Sequence, residues 1–200
     1  MSFDPLSWRT PEHKEVTNSW TPAPDAAKSK APAAAPQVVQ GFIVALPTEW
    51  TRREDNTGRV VGIADGDTVT LLDAANNQHK IRLSGIDSPE KTMPWGQKAK
   101  EGLSEMAFGQ AVLIDWSKRD RYQRIVGIVL LNGQDINLAL IRKGLAWHYK
   151  KYANEQSASD RAAYSSEEID ARAARRGLWS DPKPVPPWEW RKARRTGNPS

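Results

Sequence analysis

The sequence contains no cysteine, which excludes disulfides, zinc–thiolate centres and thiol nucleophiles and says little about compartment. It also lacks any apolar run of about 18 residues, so no membrane-spanning helix is expected. Its beginning lacks the charged-then-apolar pattern of an export signal. As written, the chain is expected to be soluble and cytoplasmic, or secreted or periplasmic if its start is misplaced. Apolar residues make up 38% of the chain, enough for a core, but 14 prolines and a mean hydropathy of -0.67 imply that part of it stays unpacked. Two hundred residues then suit one domain with appendages. The charge of +5 and pI near 9.5 favour an anionic partner, nucleic acid being the commonest.

Residues 1–37 hold Pro5, Pro11, Pro22, Pro24, Pro32 and Pro36 among Ala, Ser and Lys, without helical or strand periodicity, and read as a flexible Pro/Ala-rich arm. Cationic and acidic residues balance at four each there, so the positive excess falls on the remainder. Trp8 and Trp20 are its unusual residues and are candidates for a docking contact. Residues 38–57 open on the apolar Val38–Leu46 stretch and continue polar, and are assigned as a lead-in or added strand.

The stretch Val60–Glu90 organises the rest of the chain. The β-branched and apolar runs Val60-Val61-Gly62-Ile63 and Val69-Thr70-Leu71-Leu72 flank Asp65-Gly66-Asp67-Thr68, an Asp-Gly hairpin signal resting on glycine's tolerance of positive φ. A third run, Lys80-Ile81-Arg82-Leu83, enters Ile86-Asp87-Ser88-Pro89-Glu90. With a second turn at Ala74–Asn77, the meander brings Asp67, Asp87 and Glu90 to one corner near Arg82, whose face the pattern leaves open. Three carboxylates so gathered repel one another and point to a bound cation, with all-oxygen donors favouring Ca²⁺ or Mg²⁺ over zinc. Each piece alone has a plainer meaning: Asp-Gly is a common turn, and Asp-Ser-Pro-Glu a common helix start.

Further along, Trp95–Phe108 carries Ala99, Leu103, Met106 and Ala107 at helical spacing, with Gly109 as a stop. Ala111–Trp116 and Ile125–Leu131 read as strands around a cation-rich loop, 117–124. Five strands with a helix after the third match the order of a five-stranded Greek-key barrel of the oligonucleotide-binding (OB) type. Asn132-Gly133 marks a turn, Ile136–Lys143 a helix closed by Gly144, and Asp160–Arg176 a helix with Tyr164, Ile169 and Ala173 on one side. Trp147, Tyr149 and Tyr152 lie between these helices, where aromatics either pack or stack on bases. Residues 181–200, with Pro184, Pro186, Pro187, Trp188 and Trp190, are expected to form an extended Pro/Trp strap. Its basic end, Arg191 to Arg195, is expected to be solvated.

Five blocks in order resemble the staphylococcal nuclease-like (thermonuclease) family: Asp65-Gly66-Asp67-Thr68; Ile81-Arg82-Leu83 with Ile86-Asp87-Ser88-Pro89-Glu90; Asp120-Arg121-Tyr122-Gln123-Arg124; Asn137 through Gly144-Leu145-Ala146; and Gly177-Leu178-Trp179. The nuclease-like domain would span 58–180. The resemblance implies an α+β fold, an OB-type barrel with three helices, and Ca²⁺-dependent, weakly sequence-specific hydrolysis of DNA and/or RNA that leaves 3′-phosphate ends. It further implies Asp67, Asp87 and the main-chain oxygen of Ser88 as Ca²⁺ ligands, Arg82 and Arg124 on the scissile phosphate, and Glu90 acting on the attacking water. Tyr122, Tyr149 and Tyr152 are the substrate-contact candidates. No obligate protein partner is evident, and a monomer is expected. The chemistry needs these types, because guanidinium forks and a divalent ion stabilise charge developing on phosphoryl oxygens while one carboxylate stays free for water. Two positions depart from the family pattern: Ser88 stands for threonine, and Gln123 for a glycine. The competing reading is a catalytically weak OB-type module that only binds nucleic acid.

Overall fold

The computed structural model describes residues 56–197. In chain order it contains β1 (Thr57–Asp65), β2 (Thr68–Leu72), β3 (Gln78–Leu83), β4 (Ile86–Asp87), α1 (Gly96–Ala107), β5 (Ala111–Arg119) and β6 (Ile125–Leu131). There follow β7 (Gln134–Asp135), α2 (Ile136–Arg142), β8 (Trp147–His148), α3 (Ala158–Ala173) and α4 (Pro187–Arg195). The strand order is β3-β2-β1-β5-β6-β7, and β3 also pairs in parallel with β6, closing five strands into a barrel. Closure leaves neither β3 nor β6 as an open edge. The α+β class and the five-stranded barrel are therefore as expected, with four α-helices among the described residues in place of three. No helix among the described residues is long and apolar enough to cross a membrane.

The period-two pattern explains the barrel interior. Val69 and Leu71 on β2 and Ile81 and Leu83 on β3 are fully buried, while Lys80 and Arg82 alternate with them on the other face. On α1, Ala99, Leu103 and Ala107 are buried and Met106 packs against the same core, as the helical spacing predicts. Asp135 caps α2 by accepting from Leu138 N at 2.9 Å. The helix closes at Gly144, with φ 67° and its backbone against Arg176, so close that a Cβ there would lie 2.1 Å from the Arg176 oxygen.

Two expectations about the helices need correction. The inward side of α3 is Tyr164, Glu168 and Ala171, whereas Ile169 is 62% exposed and Ala173 is also outside. Residues spaced by four and then three share a face, and Tyr164 is anchored there by donating its hydroxyl to Asp135 at 2.7 Å. Residues 181–200 are not an extended strap throughout, since 187–195 form α4. Pro187 sits at its first position, where the fixed φ of proline suits a helix, with Glu189 in the first turn and Lys192, Arg194 and Arg195 in the last. The arm 1–37 with Trp8 and Trp20, and the lead-in up to residue 55, lie outside the described residues.

Candidate active site

The β1–β2 hairpin sets the first carboxylate. Asp65 pairs with Thr68 across Gly66-Asp67, and Asp67 N donates to Asp65 Oδ1 at 3.1 Å. Gly66 is required here for space, not for positive φ: a Cβ would lie 2.7 Å from Ala99 Cβ and 2.8 Å from Ser88 Cβ. That close approach lets Ser88 donate its amide to Asp67 Oδ2 at 3.0 Å and its hydroxyl to the Gly66 oxygen at 2.8 Å. Thr68 Oγ1 donates to Asp67 Oδ1 at 3.1 Å. Asp67 is thus tied to the segment after β3, as the meander predicts.

β4 sets the second carboxylate. Asp87 pairs with Trp147 of β8, which fixes its backbone against the helical side of the molecule, and the residue is 1% exposed. Arg82 takes the face toward both acids, with Nη2 lying 3.0 Å from Asp67 Oδ2 and 3.2 Å from Asp87 Oδ1. Its Nη1 donates to the Leu83 and Ile86 oxygens at 2.6 and 3.1 Å, which locks the guanidinium in place. Burial and the Asp67 charge raise the Asp87 pKa, against the opposing pull of Arg191 and Arg82. Burial first, then the Asp67 charge, pushes Asp65 up to about 6.

Glu90 does not join the two aspartates directly. Arg191 of α4 stands between, donating Nη2 to Asp87 Oδ2 at 2.6 Å and Nη1 to Glu90 Oε1 at 2.6 Å. The expected solvation of the basic end is therefore wrong at Arg191, which reaches a site about a hundred residues away in sequence. Burial would lower its pKa, but the hydrogen bonds and charges of Asp87 and Glu90 outweigh that and raise it. Among the described residues no group of three or more acidic or histidine side chains forms a cage for a metal ion. The expected three-carboxylate corner is accordingly two carboxylates with the third held apart.

Arg124 reaches the same cleft by another route. The parallel register that pairs Arg82 with Val126 puts Arg124, two residues earlier, on the side of the sheet that Arg82 occupies. Asp120 organises its loop, accepting from Tyr122 N at 2.8 Å, Arg124 N at 3.0 Å and Arg124 Nε at 2.8 Å. Burial alone would raise the Asp120 pKa, but these hydrogen bonds outweigh it and hold it below the usual carboxylate range. Gln123 has φ 62°, the left-handed backbone that glycine adopts without cost.

A cleft of about 1310 Å³ is lined among others by Arg82, Arg124, Arg191, Tyr122, Tyr149 and Tyr152, so the carboxylate corner meets it through Arg82 and Arg191. Tyr122 is 64% exposed, with the Arg121 and Arg124 guanidiniums over its ring at 4.7 and 5.6 Å. Tyr152 is 43% exposed beside Lys118 and Lys151. One face of Tyr149 is already covered, stacked on Trp188 at 5.5 Å. Trp147 belongs to a second core with Trp179, at 4.3 Å between ring centres, with Arg172 lying 4.0 Å over Trp179. It packs and is not offered to a ligand.

The class of protein is a small closed OB-type barrel with a buried carboxylate pair beside a cleft lined by arginines. The model of the family described as staphylococcal nuclease homologue matches residues 80–181. The chain belongs to that family. It is 41% identical over 140 residues to a Haemophilus influenzae protein named an uncharacterized endonuclease, covering 70% of this chain and 75% of that one. It is 37% identical over 162 residues to a micrococcal nuclease of Shigella flexneri, covering 76% and 87%. A staphylococcal-like nuclease of Arabidopsis thaliana is 44% identical over 119 residues, 60% of this chain but 35% of the plant protein.

Sequence reasoning missed Asp65, Asp120, Trp188 and Arg191. Asp120 lies four residues before Arg124, a spacing that hints at the pair. Proline at a helix start followed by acid and then base hints at α4. No local signal hints that Arg191 would meet Asp87.

Proposed function

We propose that the chain is a metal-dependent nuclease that hydrolyses phosphodiester bonds of DNA and/or RNA with weak sequence preference. The reading is carried by one observation: Arg82 Nη2 lies 3.0 Å from Asp67 and 3.2 Å from Asp87, so two buried carboxylates aim at one point beside a guanidinium fork. Names of relatives that contain the words nuclease or endonuclease support it. The donor set fits a hard divalent cation. Both carboxylates are buried, the Asp67 charge raises the Asp87 pKa, and a positive ion relieves that repulsion. Asp67 and Asp87 would hold it, and Ser88, whose amide and hydroxyl are already bonded, would offer its main-chain oxygen. We assign the ion as Ca²⁺; when bound it polarises the phosphoryl oxygen and offsets the charge that develops there.

The side chains supply the rest. Arg82, whose Nη hydrogens are taken by Leu83, Ile86, Asp67 and Asp87, donates its remaining Nε–H to a non-bridging oxygen of the scissile phosphate, which carries more charge in the transition state than in the substrate. Arg124, held by Asp120, donates to the phosphate from the β5–β6 loop. Glu90 accepts the proton of the attacking water at its carboxylate, which its exposure of 39% leaves within reach of solvent. Tyr122 and Tyr152, exposed among cationic side chains, contact the flanking nucleotides. In-line attack of the water on phosphorus breaks the P–O5′ bond, so the 5′-oxygen leaves, takes a proton from solvent to become a hydroxyl, and the phosphate stays on the 3′ side. The test incubates plasmid DNA and RNA with Ca²⁺ and then with chelator, alongside a binding measurement and Asp87→Asn. Cleavage should need the ion and fall at least about 100-fold in the variant. Binding without cleavage in every condition would replace this reading with that of a binding module, and undiminished cleavage in excess chelator would remove the ion from it.

A further inference from the structure

The carboxylate corner already contains a cation that belongs to the chain. Arg191 sits on Asp87 and Glu90 with two bonds of 2.6 Å, and donates a third to Asp87 Oδ1 at 3.3 Å. Both Asp87 oxygens are thereby engaged, Oδ1 by Arg82 as well. Arg191 therefore occupies the Asp87 lone pairs that an ion shared with Asp67 would use, and keeping both sets the ion against a guanidinium on the same carboxylate. Resting on the reading of Asp67 and Asp87 as a cation site, we propose that Arg191 is a tethered counter-ion exchanged for the divalent ion, so that docking of α4 and cation binding oppose each other.

The helix that carries Arg191 is suited to reversible docking. It has nine residues, of which Pro187 alone is buried, and a helix this short is marginal in water without tertiary contacts. Its contacts lie on the acid corner and on the aromatic cluster beside it, where Trp188 packs against the Trp147, Leu178 and Trp179 core and the Trp190 Nε1 is buried. Trp188 stacks on Tyr149 and meets Trp147 edge-on at 5.6 Å, and Arg194 reaches Thr92 Oγ1 at 3.4 Å. One element therefore covers both the acid corner and one face of Tyr149. Its withdrawal would free two Asp87 lone pairs and a ring face together. Linkage makes the effect reciprocal: whatever factor the docked arginine takes from cation affinity, the cation takes from α4 docking.

The experiment uses the full chain, stripped with chelator and titrated calorimetrically with CaCl₂ in the absence of nucleic acid, together with hydrogen exchange of the 187–195 amides. Arg191→Gln should raise Ca²⁺ affinity roughly three- to tenfold, the range expected for a half-exposed, doubly bonded ion pair. Arg191→Lys should fall between the two. Arg194→Gln removes the same charge from the same helix without touching the corner and should change affinity by less than about twofold. Added Ca²⁺ should speed exchange across 187–195 in the wild type, and in Arg191→Gln those amides should already exchange fast without it. The proposal is overturned if Arg191→Gln binds no tighter than wild type, if Arg194→Gln matches it, or if exchange of α4 ignores the ion. Absence of Ca²⁺ binding in both wild type and Arg191→Gln would overturn the cation-site reading, and this proposal with it.

Discussion

The two arginines assigned to the phosphate are held in opposite ways. Arg82 is 15% exposed, clamped by two main-chain oxygens and two buried carboxylates, and every partner comes from the β1–β2 hairpin or the chain leaving β3. Arg124 is 28% exposed, with Asp120 of its own loop as partner. The first is placed by the barrel and the second by a short turn carrying a residue in left-handed backbone. The same chemistry is thus built once as a buried network and once as a surface loop. Deletions in a buried network leave unpaired charge behind, whereas deletions at the surface are softened by water and salt.

Arg82→Ala is the most severe way to sharpen that contrast. It should lower turnover roughly 10²- to 10³-fold with a smaller effect on substrate affinity, as for contacts strengthened in the transition state. It should also cost about 2–3 kcal/mol of stability, because Asp67 and Asp87 lose their shared partner. Denaturant unfolding and steady-state kinetics measure the two, and a variant of wild-type stability would show that the corner does not depend on Arg82. Arg124→Ala, by contrast, should reduce turnover while leaving stability within about 0.5 kcal/mol, as usual for surface changes.

Gln123→Gly probes the loop more gently. A Cβ-bearing residue at φ 62° is strained by about 1 kcal/mol, and the bonds that shape the loop come from backbone amides and Asp120. Stability should therefore hold or rise by up to about 1 kcal/mol, reduced by the extra freedom that glycine gives the unfolded chain, with turnover kept. Loss of cleavage in a folded variant would instead mean that the glutamine side chain is needed, and Arg124 would lose its assigned role.

The smallest expected effect belongs to Asp120→Asn. The folded pKa of Asp120 lies below its ordinary 3.8, so its charge stabilises the protein above that value, and the contribution is lost as pH falls through the depressed one. The variant should be less stable than wild type by under about 1 kcal/mol near neutral pH, with the gap closing as acidification passes below the ordinary 3.8. A gap that stayed constant with pH would assign the loss to geometry and not to charge.

Much of the site was legible because it is local. The Asp-Gly hairpin, the alternation of Val69, Leu71, Ile81 and Leu83, and the Ile86–Glu90 run each rest on a few neighbouring residues whose period decides which side they face. They were enough for a barrel with Asp67 beside Ser88 and Asp87. At Gln123 only the resemblance flagged a departure from glycine and left the backbone open, and the structure shows the left-handed one, φ 62°. Gly66 was assigned correctly as a turn residue but for another cause, the nearness of α1 and Ser88, which no local window contains.

The sequence by itself determined the five barrel strands, the first three helices and the hairpin that carries Asp67, because each follows from periodicity or turn chemistry within one segment. Only the tertiary structure decided which face Arg82 takes, that Glu90 is separated from the aspartates, and that residues 187–195 form a helix whose Arg191 lies on Asp87. Those outcomes depend on charges and rings brought together from segments up to 104 residues apart. Such long-range pairings are chosen by packing and charge balance in three dimensions, which leave no period in the chain.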